Sequence, residues 1–135
     1  MSDLSSMVRS DEPVRVVLKG NDGEPLIGID KKEMTVFVTD MNTPACRAIR
    51  DAADDEAAEN DGRLSIAKRE ALGLDVLAAA TVGAEALAWD DKPYEYSKKN
   101  MRKLYKKSPV IRKQVDKIVG TNKYFTEGAR DQDDE

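Results

Sequence analysis

The chain has 135 residues, with 26 acidic and 22 basic side chains, a net charge of -4, one cysteine and no histidine. That length builds one domain. A single cysteine rules out an intrachain disulfide, and the absent histidines remove both the common Cys/His zinc site and the commonest general base near neutral pH.

Residues 1–12 are polar and expected to be flexible. The opening "MSDLSSMVRSDEP" has no apolar centre, so it does not read as a signal peptide. "VRVVLKG" (Val14 to Gly20) is β-branched and bounded by Pro13 and Gly20, which predicts a strand. "NDGEP" comes next with turn chemistry, since Asn, Asp and Gly tolerate left-handed backbone angles. "LIGID" is a candidate short second strand, and "EMTVFVTD" alternates as a better one. Two strands are marginal in water, so this hairpin or three-stranded antiparallel sheet must pack on the helices C-terminal to it.

Asn42 or Thr43 can cap a first helix, with Pro44 at its first position, where a missing N–H costs nothing. Its predicted apolar stripe is Ala45, Ala48, Ile49, Ala52 and Ala53, and Gly62 suits its left-handed stop. Ser65 caps a second helix, read from Ile66 through Trp89 as the apolar centre of the fold. Asp75 and Glu85 interrupt that run and make it a poor membrane span, so a soluble, cytosolic protein is expected. "DDKPYEY" is an extended link. Ser97 then caps "KKNMRKLYKK", and Ser108 caps "PVIRKQVDKIVG", giving a terminal helical hairpin. Residues 126–135 form an acidic tail, expected to be disordered. The predicted class is α+β: a small N-terminal sheet and about four helices in one domain over residues 13–125.

Charge is unevenly spread. Lys92 to Lys123 holds eleven Lys or Arg against two acids, while the rest of the chain holds eleven against twenty-four. This basic hairpin permits phosphate binding. Ordinary amphipathic helices explain it as well: Met101, Leu104, Tyr105 and Val110, Ile111, Val115, Ile118, Val119 make two apolar stripes, Lys98, Lys99, Arg102, Lys103, Lys106 and Lys107 lie away from the first, and arginine, the better reader of base edges, is rare beside lysine. Cys46 lacks a histidine to activate it, and "DDEAAENDG" lacks the order of a calcium loop. No catalytic, cofactor or metal residue is assigned. Trp89, the lone tryptophan, reads as a core plug or as an exposed partner anchor, with Tyr94 and Tyr96 close behind. The stripe residues Leu104, Tyr105, Ile111 and Val115 face either the core or the same partner.

The order of Trp89, Tyr96, Ser97, Asn100, Leu104, Tyr105, Pro109, Ile111, Gln114, Val115 and Phe125 resembles the C-terminal half of phage and prophage tail assembly chaperones. "VVLKGNDGEPL" and "VFVTDMNTPACRAIRDA" resemble the strands and first helix of the same family, so the likeness spans residues 14–125. The linker lacks an expected glycine, and the lysine density departs from the pattern. The resemblance implies a non-enzymatic protein of the host bacterial cytoplasm, absent from the mature virion. It would bind the tape measure protein and keep it soluble during tail assembly. It also implies the tail tube protein and a longer frameshifted form of the chain as further partners, and leaves oligomerisation open. No membrane partner is expected. The alternatives are a virion structural protein of the head–tail joint or minor tail, and a nucleic-acid-binding regulator that uses the basic helices.

Overall fold

The computed structural model describes residues 12–120 together with Leu4 and Phe125. The expected flexible N-terminus and acidic tail fall, apart from Leu4 and Glu12, outside the described residues. The chain runs β1 (Val14–Val17), β2 (Thr35–Val38), α1 (Pro44–Glu59), α2 (Ile66–Ala80), β3 (Thr81–Glu85), β4 (Ala88–Trp89), β5 (Lys92–Pro93), α3 (Lys98–Lys107) and α4 (Pro109–Val119). The α+β class holds: the described residues form a three-stranded antiparallel sheet, a separate two-stranded one and four helices.

The sheet begins where the sequence places it. Val14 and Val16 alternate inward on β1. β1 pairs with β2, Val14 opposite Val38 and Val16 opposite Val36. The turn between them works through its side chains: Asp22 Oδ1 accepts from the Glu24 N–H at 3.0 Å, and Gly23 takes φ 79°. "LIGID", expected as the second strand, forms none. It contributes one isolated bridge, Ile27 with Glu33, beside the Lys19–Pro25 bridge that precedes it, and then enters a 3-10 turn at Ile29–Lys31. Gly28 lets this segment lie against Ala86, because a Cβ at Gly28 would stand 1.7 Å from the Ala86 carbonyl oxygen.

The third strand is β3, inside the stretch read as one long helix. α2 stops at Ala80, and Thr81–Glu85 pairs with β2, Thr35 opposite Glu85 and Phe37 opposite Gly83. The stop has a physical cause. Thr81 and Val82 are β-branched and prefer extended backbone. The last helical carbonyls also have outside partners. The Thr39 N–H donates to Ala80 at 2.8 Å, Lys98 Nζ donates to Ala79 at 3.0 Å, and Lys98 Nζ and the Tyr96 hydroxyl both donate to Thr81 at 2.7 Å. A cation at this end also complements the negative pole of α2. Partial burial strips some of its water, which lowers the Lys98 pKa.

Each helix start carries a side-chain cap from Thr43, Ser65, Ser97 or Ser108, with Pro44 and Pro109 in the first turn of α1 and α4. Gly62 ends the turn after α1 at φ 77°. The inward face of α1 is rotated from the predicted stripe. Cys46 is buried and Ile49 and Ala53 are half-buried, whereas Ala45, Ala48 and Ala52 are exposed. One core joins the sheet valines, Leu74 and Leu77 of α2, Met101 and Tyr105 of α3, Ile111, Val115 and Val119 of α4, and Phe125. Alanine is a large part of α2, and its small side chains let α1 and α3 approach the same helix.

Candidate functional site

A two-residue turn builds the lip of the site. β4 and β5 pair as Ala88 with Pro93 and Trp89 with Lys92. Asp90 and Asp91 take φ 51° and 63°, the double left-handed geometry of a tight hairpin turn. The "extended link" of the sequence is therefore a β-hairpin, and Trp89 lies on a strand instead of ending a helix. The hairpin holds the tryptophan over the surface, where it is 43% exposed. The core-plug expectation for Trp89 fails on that exposure. Its ring lies 6.0 Å from that of Tyr94, and the Lys107 ammonium stands 5.4 Å from its centroid. Tyr94 is fixed twice, by its N–H to the Leu87 carbonyl at 2.9 Å and by its hydroxyl to the Asn100 carbonyl at 2.6 Å.

Beneath this lip is an apolar groove of about 220 Å³. Leu18, Leu26 and Met34 supply one wall from the long connection between β1 and β2. Leu87, Trp89 and Tyr94 supply the second, and Leu104, Ser108 and Ile111 the third. The wall positions are set by backbone pairing. The Leu18 N–H donates to Met34, the Leu26 N–H to Leu18 and the Met34 N–H to Leu26, at 2.8 to 2.9 Å. The Gln114 amide pins the helical wall to the first one, accepting from the Lys19 N–H at 2.8 Å and donating to the Lys19 carbonyl at 2.6 Å.

Of the seven residues singled out for partner binding, the structure brings four to this groove: Trp89, Tyr94, Leu104 and Ile111. Tyr105 and Val115 are fully buried and serve the core. Tyr96 borders a neighbouring, more polar hollow with Tyr94 and Leu87, and its hydroxyl is spent on the Thr81 carbonyl. Burial raises the pKa of both Tyr94 and Tyr96. In Tyr105 burial dominates and lifts the phenol to about 12, although its hydrogen bond with the Thr81 hydroxyl at 2.7 Å pulls the other way. Leu18, Leu26, Met34 and Leu87 are not among those seven. Their signal in the sequence is weak, since apolar residues beside a Gly-rich turn read equally well as strand core.

The basic hairpin divides by residue type. Arg102 Nε donates to Asp75 Oδ1 at 2.6 Å, and Arg112 pairs with Glu70 at 3.8 Å. Both arginines are thereby turned toward α2, and Gly73 makes room for Arg112, whose Nη2 would be 3.0 Å from a Cβ there. Lys99, Lys103, Lys106 and Lys113 are exposed and have no ion pair among the described residues. Cys46 is buried, its thiol 3.7 Å from the Val76 carbonyl, a packing role. Comparison with known proteins finds no matching family model, no matching curated protein and no matching solved structure.

Proposed function

We propose that the chain is a non-enzymatic assembly chaperone of a long-tailed bacteriophage, which holds the tape measure protein soluble in the host cytoplasm while the tail forms. The reading rests on the resemblance of the ordered residues from Trp89 to Phe125, and the observation that carries it is the groove. Trp89, Tyr94, Leu104 and Ile111, four residues of that likeness or its linker, share one apolar surface with an aromatic at its lip. Such a surface suits the apolar stripe of a long amphipathic helix. Weak contacts repeated along one long partner add through effective concentration, so each site need not be tight.

The regulator reading loses ground on the arginines. They are the better readers of base edges, and both of those in α3 and α4 are committed to α2.

The test is co-expression with the long helical tail-length protein of the same genome, then capture at low and high salt with nuclease present. Recovery that survives high salt, with more of the long protein kept soluble, is the expected result. Nucleic acid retained at low salt and lost at high salt, with no long partner, would overturn it in favour of the regulator. Detection of the chain in purified particles would favour the virion-component alternative.

A further inference from the structure

We propose that the groove selects an acidic partner segment: one large apolar side chain seated under Trp89, with carboxylates beside it that meet the lysines of α3. The proposal takes the groove as the docking surface of the chaperone reading, and adds a charge preference that is tested separately.

Three observations lead to it. The first is size. At about 220 Å³ the groove is smaller than the roughly 300–1,000 Å³ typical of small-molecule sites. It suits one or two side chains of a polypeptide. The second is the chemistry of the wall. Most of its side chains are aliphatic or aromatic, and two of its polar groups have internal partners: Ser108 Oγ accepts from the Ile111 N–H at 3.3 Å, and the Tyr94 hydroxyl donates to the Asn100 carbonyl. The seated group is therefore largely apolar, and charge selection falls to the rim.

The third is the rim itself. Lys107 stands over the Trp89 ring, and Lys103 lies one turn earlier on the same flank of α3. Lys92 is the cross-strand neighbour of Trp89. Lys92 and Lys103 have no ion pair among the described residues, and α3 contains no acid. Asp90 and Asp91 sit at the tip of the hairpin turn, and the exposed Glu95 comes directly after Tyr94. That places the partner's carboxylates on the α3 side of the tryptophan, away from the turn. A ligand carboxylate close to Lys107 would compete with the indole face for the ammonium, so binding and the optical environment of Trp89 are coupled.

Trp89 is the lone tryptophan of the chain, so its fluorescence reports on the groove without a label. The full chain is titrated with three helical peptides of equal length: leucines flanked by glutamates, leucines flanked by lysines, and alanines flanked by glutamates. Binding is also followed by anisotropy of dye-labelled peptide. The leucine–glutamate peptide should bind and shift the Trp89 emission to the blue. It should bind about tenfold tighter than the leucine–lysine peptide at low salt, and the gap should narrow as salt screens the rim. The alanine–glutamate peptide should leave the emission unchanged. The exposed pair Lys103→Glu and Lys107→Glu together should reverse the charge preference while the chain still unfolds in one cooperative transition, its stability lowered only by the lost contact with Trp89 and the new acids near the end of α3. Equal binding of the two leucine peptides, no binding of either, or a double variant that still prefers glutamates would overturn the proposal. If the long tail protein is captured while the peptides show no charge preference, the charge rule falls and the chaperone reading stands. If the peptides obey the rule and the tail protein is not captured, the reverse holds.

Discussion

The two flanks of α2 are covered by helices of opposite character. On one side, α1 brings sixteen residues and buries one, Cys46. On the other, α3 and α4 bring ten and eleven residues and bury Met101, Tyr105, Ile111, Val115 and Val119. α1 is acidic and alanine-rich, with Asp51, Asp54, Asp55 and Glu59 exposed. α3 and α4 are basic and carry large apolar side chains. Burial energy scales with apolar area, so an alanine stripe holds its helix far more weakly than one of Tyr, Met, Ile and Val. α1 bears a further cost. Arg50 donates through Nη2 to the Met41 carbonyl at 2.8 Å, yet its Nε is buried without a hydrogen-bond partner among the described residues. The lesson is that helix length and helix anchoring are separate quantities. Among the described residues the longest helix buries the fewest side chains, and the shorter basic hairpin buries more of its own and carries one wall of the groove.

The sharpest way to break this contrast is a matched pair of truncations. Tyr105→Ala removes a fully buried ring from α3 and should cost about 4 kcal/mol, whereas Ile49→Ala, half-buried on α1, should cost about 1 kcal/mol. Urea unfolding of both variants measures it, and equal losses would mean that α1 is anchored as well as α3.

Alkaline pH should act next, and on the α3 side. The Tyr105 phenol is lifted to about 12 in the folded chain by burial, above the ordinary value near 10 of the unfolded chain. The neutral ring is thus favoured by folding. Its contribution is fully present below about pH 10 and is lost as the pH rises toward 12, a loss on the order of 2–3 kcal/mol. Tyr105→Phe should start lower by about 1 kcal/mol, for the lost hydrogen bond with Thr81, and then fall less steeply with pH. Parallel stability curves for the two proteins between pH 9 and about 12 would show that burial does not hold this proton.

The smallest effect belongs to the groove. A core tryptophan truncated to alanine costs on the order of 3–5 kcal/mol. Trp89, 43% exposed and held by Tyr94 and Lys107, should cost about 1 kcal/mol in Trp89→Ala. A thermal shift as large as that of Tyr105→Ala would make the lip part of the core.

The legible parts of the fold are those set by short-range forces. The helix starts are legible because a cap is local: Thr43, Ser65, Ser97 and Ser108 each satisfy an N–H three residues on. The stripes of α3 and α4 are legible as apolar faces because large apolar residues recur there at helical spacing, although Val110, read into the α4 stripe, is 40% exposed. The face of α1 is not, because alanine is small enough to sit on either side of a helix. Nor is the end of α2. Thr81 to Glu85 comes after a run of alanines without a proline, and it leaves the helix for the sake of β2, more than forty residues earlier. Tertiary pairing overrides local pattern there. The groove is half legible. Its aromatics and helical wall are close in sequence, but Leu18, Leu26 and Met34 reach it only through the fold.

The direct passage from α2 into β3 bears on how the chain is made. β1 and β2 leave the ribosome early, yet the strand that completes their sheet, Thr81–Glu85, emerges only after two helices. A two-stranded ribbon is marginal by itself, so the nascent chain carries an open sheet edge until residue 85 has emerged. Once β3 docks beside β2, the Thr39 N–H holds the last turn of α2 through the Ala80 carbonyl, and Tyr96 and Lys98 add their bonds when they follow. Sheet closure and helix termination are then one event. Pausing translation before that point should leave a chain open to proteolysis at both β2 and α2, and release beyond it should protect both together.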